Sequence, residues 1–124
     1  MRHFAIALLV IAVPATALQA QSMPVSTFLA KANALKAKGA MALFSSDIKL
    51  LKKEVTDAAA QLREERAAAV KAGRKPAYCP PAAKTSLDSK ELLAYLRSIP
   101  PARRGMQVRD GLRGLFARKY PCPA

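Results

Sequence analysis

The chain of 124 residues has no tryptophan, one histidine, two cysteines, five glycines and only eight acidic side chains. Each scarcity closes a class of function. Two cysteines cannot make a cysteine-dense scaffold, and five glycines cannot make a collagen-type repeat. The histidine is His3, so removal of the N-terminus would leave no imidazole and exclude most acid–base relays and histidine zinc sites. The acids are Asp47, Glu54, Asp57, Glu64, Glu65, Asp88, Glu91 and Asp110, none combined with a histidine, so an activated nucleophile or a bundle metal site lacks its parts. Glu54 and Asp57 share a helix face at i, i+3 spacing and read as surface charge. Gly111-Leu-Arg-Gly114 lacks the Lys and Ser/Thr of a phosphate loop. The expectation is binding rather than catalysis, with no cofactor and no metal.

What is present is apolar and basic. Hydrophobic residues make up 52% of the chain, which argues against disorder, because enough apolar surface exists to offset the entropy of ordering. The length allows one small domain. Twenty-one Lys and Arg against eight acids give a net charge of +13.

One long apolar run exists, Phe4 to Val13, preceded by Arg2 and broken by Pro14. A membrane-spanning helix needs about 20 apolar residues; this run is half that and is followed by small residues, the pattern of a secretory signal peptide. Cleavage can follow Ala-Thr-Ala, after Ala17, or Leu-Gln-Ala, after Ala20, and the second is preferred. Residues 1–20 are then the leader and residues 21–124 a single exported domain with no later segment long enough to span. Losing Arg2 leaves 20 basic against eight acidic residues, a net charge of +12. In an oxidising compartment the only two cysteines, Cys79 and Cys122, are expected to form a disulfide, since a reactive thiol would lack a histidine to activate it. Export also removes nucleic acid as a partner, as does the lack of aromatics interleaved with the basic residues.

The remaining pattern is helical, with no alternating strand segment. Proline is absent from Val25 through Lys75. Ser26 as N-cap, apolar Phe28, Ala32 and Leu35, and Gly39 as C-cap predict helix 1 over Thr27 to Lys38. A short apolar connector, Met41 to Phe44, leads to the cap signal Ser45-Ser46-Asp47. Helix 2 then carries Ile48, Leu51, Val55, Ala58, Ala59, Leu62, Ala69 and Val70 on one stripe until Gly73, with Lys49, Lys52, Lys53, Glu54, Asp57, Arg63, Glu64, Glu65 and Arg66 expected on a solvated face. Pro76, Pro80 and Pro81 make residues 73–84 a rigid connector around Cys79. Asp88 and Glu91 resemble a capping box for helix 3, which carries Leu92, Leu93, Tyr95, Leu96 and Ile99 and stops at Pro100-Pro101. Helix 4 is expected over Gln107 to Lys119, with Val108, Leu112, Leu115 and Phe116 inward. Gly111 and Gly114 inside it each cost about 1 kcal/mol relative to alanine, which predicts tight packing onto helix 2 or helix 3, or else a contact surface for a partner. The fold class is all-α, a small bundle of four helices with one disulfide.

The C-terminal half carries Tyr-Cys-Pro-Pro at 78–81, Ser-Leu-Asp-Ser-Lys-Glu-Leu-Leu-Ala-Tyr-Leu at 86–96, Pro-Ala-Arg-Arg at 101–104 and Lys-Tyr-Pro-Cys-Pro at 119–123. In these residues the chain resembles the Rap/Tai immunity protein family. The resemblance implies a small, exported, helical, periplasmic protein that protects a bacterium from a peptidoglycan-cutting amidase effector delivered by type VI secretion. It also implies that Cys79 and Cys122 correspond to the family's two later cysteines.

Basic residues Arg103, Arg104, Arg109, Arg113, Arg118 and Lys119 cluster near the C-terminus, with Arg109 and Arg113 one helical turn apart. Arg103, Arg104, Arg109 and Arg113 are the candidates for steering an acidic protein partner, such as a secreted amidase effector. The alternative is a basic, envelope-associated structural protein binding anionic lipid or polymer. A homodimer is a further partner expectation.

Overall fold

Pairs of helix ends, far apart in sequence, are tied to each other by backbone hydrogen bonds in the computed structural model, which describes residues 22–83 and 85–124. The expected leader, residues 1–20, lies outside the described residues. Four α-helices are present: α1 (Val25–Lys38), α2 (Ser46–Lys71), α3 (Ser89–Ser98) and α4 (Val108–Lys119). Short 3₁₀ turns at Gly39–Phe44 and Pro101–Arg103 connect α1 to α2 and lead from α3 toward α4. Among the described residues there is no strand, only an isolated antiparallel bridge between Pro24 and Gln107. The bundle is all-α, as its sequence pattern requires.

Most boundaries follow from local chemistry. Gly39 ends α1 with φ of 58°, a left-handed conformation that favours glycine. Ser45 caps α2, its hydroxyl accepting from the Asp47 amide at 3.3 Å, and Gly73 follows the helix with φ of 71°. Asp88 caps α3 by accepting from the Lys90 amide at 2.9 Å. Its expected partner in a capping box, Glu91, instead accepts from Lys119 Nζ at 2.8 Å. The connector Met41 to Phe44 belongs to a 3₁₀ turn.

The start of α1 corrects the sequence reading. The helix begins at Val25 after Pro24, and Ser26 lies inside its first turn rather than capping it. Its free amides are satisfied from the other end of the chain: Val25 N donates to Met106 O and Ser26 N to Arg104 O, both at 2.9 Å. The exchange is reciprocal, because Val108 N at the start of α4 donates to Met23 O at 2.8 Å and Arg109 N donates to Ser22 Oγ at 3.3 Å. Glu54 of α2 completes the lock, accepting from Met23 N at 2.6 Å and Ser22 Oγ at 2.8 Å. This carboxylate, expected on a solvated face, is half-buried and holds the entry of α1.

Helices α1 and α4 each pack against the other three, with α2 and α3 flanking them. The core is Val25, Phe28 and Leu29 from α1, Leu51, Ala58 and Leu62 from α2, Leu92 and Leu96 from α3 with Ile99 after it, and Val108, Leu112 and Leu115 from α4. Val70, assigned to the inward stripe of α2, is exposed near the end of that helix. Tyr78 of the proline-rich connector is buried against Phe116, with ring centroids 5.2 Å apart. The Cys79–Cys122 disulfide, with Cα atoms 4.8 Å apart, and the bond from Cys79 N to Tyr120 O at 2.8 Å fasten that connector to the end of α4. Among the described residues no helix is long and apolar enough to cross a membrane.

Candidate functional site

Helices α3 and α4 approach closely because α4 carries glycine at the two contact positions. A Cβ on Gly111 would sit 2.9 Å from Leu96 Cδ2, 3.5 Å from Val25 Cγ2 and 3.6 Å from Ile99 Cδ1. A Cβ on Gly114 would collide with the Tyr95 hydroxyl. Both glycines therefore admit α3, and Gly111 also admits α1. The hydroxyl end of Tyr95 fills the notch at Gly114 as a result, and two shallow clefts of about 370 and 420 Å³ adjoin it, sharing Tyr95 and Ser98. Glu91, Arg118 and Lys119 border the first; Arg103, Met106 and Asp110 border the second.

The four arginines singled out from the sequence serve three different ends. Arg104 turns inward, its Nε donating to Ile99 O at 2.9 Å and its Nη2 to Arg97 O at 2.8 Å, so it satisfies carbonyls at the C-terminus of α3. Arg109 and Arg113 share a face, but that face meets α2. Arg113 donates to both oxygens of Glu65 at 2.9 Å and to Asp110 Oδ1 at 2.8 Å. Burial opposes the charge on Arg113, yet its hydrogen bonds to Glu65 and Asp110 outweigh it and raise its pKa. Arg109 Nη1 donates to Gln61 Oε1 at 3.2 Å, while its buried Nε, 3.6 Å from Asp110 Oδ1 and 4.0 Å from Glu65 Oε1, makes no hydrogen bond. Arg103 alone of the four is exposed, with no carboxylate within ion-pair distance among the described residues.

Arg118, present in the basic cluster but not singled out, is the counterpart of Arg103 across Tyr95. It too is exposed, with no carboxylate within ion-pair distance among the described residues. Lys119 beside it is taken by Glu91, whose hydrogen bond raises the lysine pKa, and lies 5.7 Å from the Tyr120 ring centroid. Tyr95 reads from the sequence only as another apolar residue of α3; its place on the surface follows from the glycine notch opposite.

The arrangement offers charge and shape. Among the described residues no group of three or more His, Cys, Asp or Glu side chains could hold a metal ion. Glu54, Glu65, Asp110 and Glu91 are each engaged with a basic side chain or a backbone amide. Compared with known proteins, the chain matches no family model, no curated protein and no solved structure.

Proposed function

We propose that the chain is an exported, non-catalytic binding protein of the immunity type, which neutralises a secreted peptidoglycan amidase by covering it, and that the α3–α4 face makes the contact. The observation that carries this reading is the pair of exposed guanidiniums, Arg103 and Arg118, set on opposite sides of Tyr95, neither within ion-pair distance of a carboxylate among the described residues. An aromatic flanked by two arginines is the composition of an interface hot spot, and the positive charge selects an acidic partner surface. The segment that resembles immunity proteins, residues 78–123, is the one that builds this face and its disulfide brace. That disulfide fits residence in an oxidising compartment such as the periplasm.

Arg109 and Arg113 fasten the back of the face to α2 in this reading, and Arg104 fixes the turn beneath Arg103. The test is capture of an amidase effector from the producing cells by the oxidised protein, followed by association kinetics of Arg103→Glu/Arg118→Glu. The double reversal should slow association by about tenfold or more at low salt. An unchanged rate would remove the α3–α4 face from the contact. Failure of the native protein to bind or inhibit any such amidase would end the immunity reading.

A further inference from the structure

Four of the five large apolar side chains that stand exposed among the described residues, Met41, Leu43, Phe44 and Leu50, fall within ten residues of one another. Three of them crown the 3₁₀ turn that joins α1 to α2: Met41 is 66% exposed, Leu43 73% and Phe44 84%. So much accessible apolar surface on one short turn has a cost in water unless something covers it.

The unpaired charges around the turn are of one sign. Lys36 and Lys38 occupy the last turn of α1, Lys49 the first turn of α2, and Lys52 the next. Lys38 Nζ reaches the Ser45 hydroxyl at 3.5 Å, directly beside Phe44. The nearby Asp47 is committed to Lys31 at 3.1 Å, and none of Lys36, Lys38, Lys49 and Lys52 has a carboxylate within ion-pair distance among the described residues. An apolar tip with free ammonium groups on the helix turns that adjoin it matches the layered chemistry of an anionic bilayer, acyl chains beneath and phosphates above.

Shape and backbone chemistry agree. Side chains this exposed form a convex knuckle, around which a fluid bilayer can close where a rigid protein surface would have to offer a matching cavity. The backbone of the turn is bonded within itself, Gly39 N donating to Lys36 O and Ser45 N to Ala42 O, so insertion strips water from few free amides. A second copy is a poor cover, because its own lysines would face these.

We propose that the α1–α2 turn is a peripheral anchor for anionic phospholipid, with Met41, Leu43 and Phe44 entering the acyl region and Lys36, Lys38, Lys49 and Lys52 meeting the headgroups. This surface does not depend on the α3–α4 contact. Glu65, which braces that face, is 19 residues along α2 from Ser46, about 28 Å at the rise of an α-helix. A protein anchored by the turn would keep the arginine face clear of the membrane.

The experiment uses protein purified after export, with vesicles of phosphatidylglycerol and phosphatidylcholine compared against phosphatidylcholine alone. Because the chain has no tryptophan, Phe44→Trp introduces a single indole. Its emission should shift to the blue on anionic vesicles at low salt, and the shift should reverse at high salt. In the native background, Leu43→Ser/Phe44→Ser should weaken co-sedimentation by more than about tenfold. Each of Lys38→Gln and Lys49→Gln should weaken it by about fivefold. All these side chains are outside the core, so unchanged helicity and an intact disulfide are expected and checked by circular dichroism and thiol titration. The proposal fails if the indole does not shift, if neutral vesicles bind equally well, or if the double serine variant sediments like the native protein. It also fails if the serine variant keeps vesicle binding while losing an amidase partner or a dimer, since the turn would then be a protein interface.

Discussion

Glu65 of α2 and Arg113 of α4, 48 residues apart, form a forked pair in which the Arg113 Nη2 donates to both carboxylate oxygens at 2.9 Å. A planar guanidinium against a planar carboxylate fixes rotation as well as distance, and so sets how α4 lies along α2. The Glu65 side chain is nearly half exposed, so water screens much of the attraction. Glu65→Gln should therefore cost only about 0.5–1 kcal/mol, seen as a fall in Tm of about 2–8 °C for a domain of this size. A Tm unchanged within error would mean that apolar packing alone positions α4.

Gly111 and Gly114 should respond differently to the same methyl group. At Gly111 the new Cβ meets Leu96, which is fully buried and has no room to retreat. Overpacking costs about 1–3 kcal/mol while the gain in helix propensity returns about 1, so Gly111→Ala should lose up to about 2 kcal/mol in urea unfolding. At Gly114 the obstacle is the far end of Tyr95, a half-buried side chain that can swing outward. Gly114→Ala should stay within about 1 kcal/mol of the parent while altering the clefts on the α3–α4 face. Equal losses at both positions would contradict this distinction.

The disulfide closes a separation of 43 residues. Restricting an unfolded loop of that size is worth about 4 kcal/mol by the chain-entropy relation. Cys79→Ser/Cys122→Ser should lose that order of stability, with little change in helicity at low temperature, because Tyr78, Phe116 and Tyr120 still pack together. A loss below about 1 kcal/mol would show that those aromatics, rather than the covalent bond, secure the connector.

Burial holds the Tyr78 phenol above its ordinary pKa of 10.0, an effect that neighbouring Arg66 and Arg63 reduce. The folded protein thus keeps a proton that the unfolded chain releases first. Stability from this source is complete below about pH 10 and falls as pH climbs through the raised value. Lys119 and Lys53, raised by hydrogen bonds to Glu91 and Asp57, act in the same sense but from exposed positions. Tyr78→Phe should flatten the alkaline decline in unfolding free energy; an identical decline would assign it to the lysines.

Local signals were readable wherever the physics is local. Gly39 and Gly73 occupy left-handed positions after helices, Ser45 and Asp88 accept from amides two residues on, and apolar residues at helical spacing supply the core. The same reasoning failed at Ser26, because Arg104 and Met106, about 80 residues away, provide the carbonyls that start α1. No propensity scale carries such a contact.

Charged residues divide along the same line. The amino-acid order alone determined an excess of positive charge, four amphipathic helices and one pair of sulfurs able to join. Which arginines are free was decided by tertiary packing: α4 turns Arg109 and Arg113 onto α2, the end of α3 consumes Arg104, and Arg103 and Arg118 are left facing water. Likewise the sequence shows an apolar connector, and only the fold leaves its Leu43 and Phe44 with no neighbour to cover them. Helix caps and periodicity act over a few residues, whereas the partner of a charge or the cover of an apolar side chain is set by which elements are brought together across the chain.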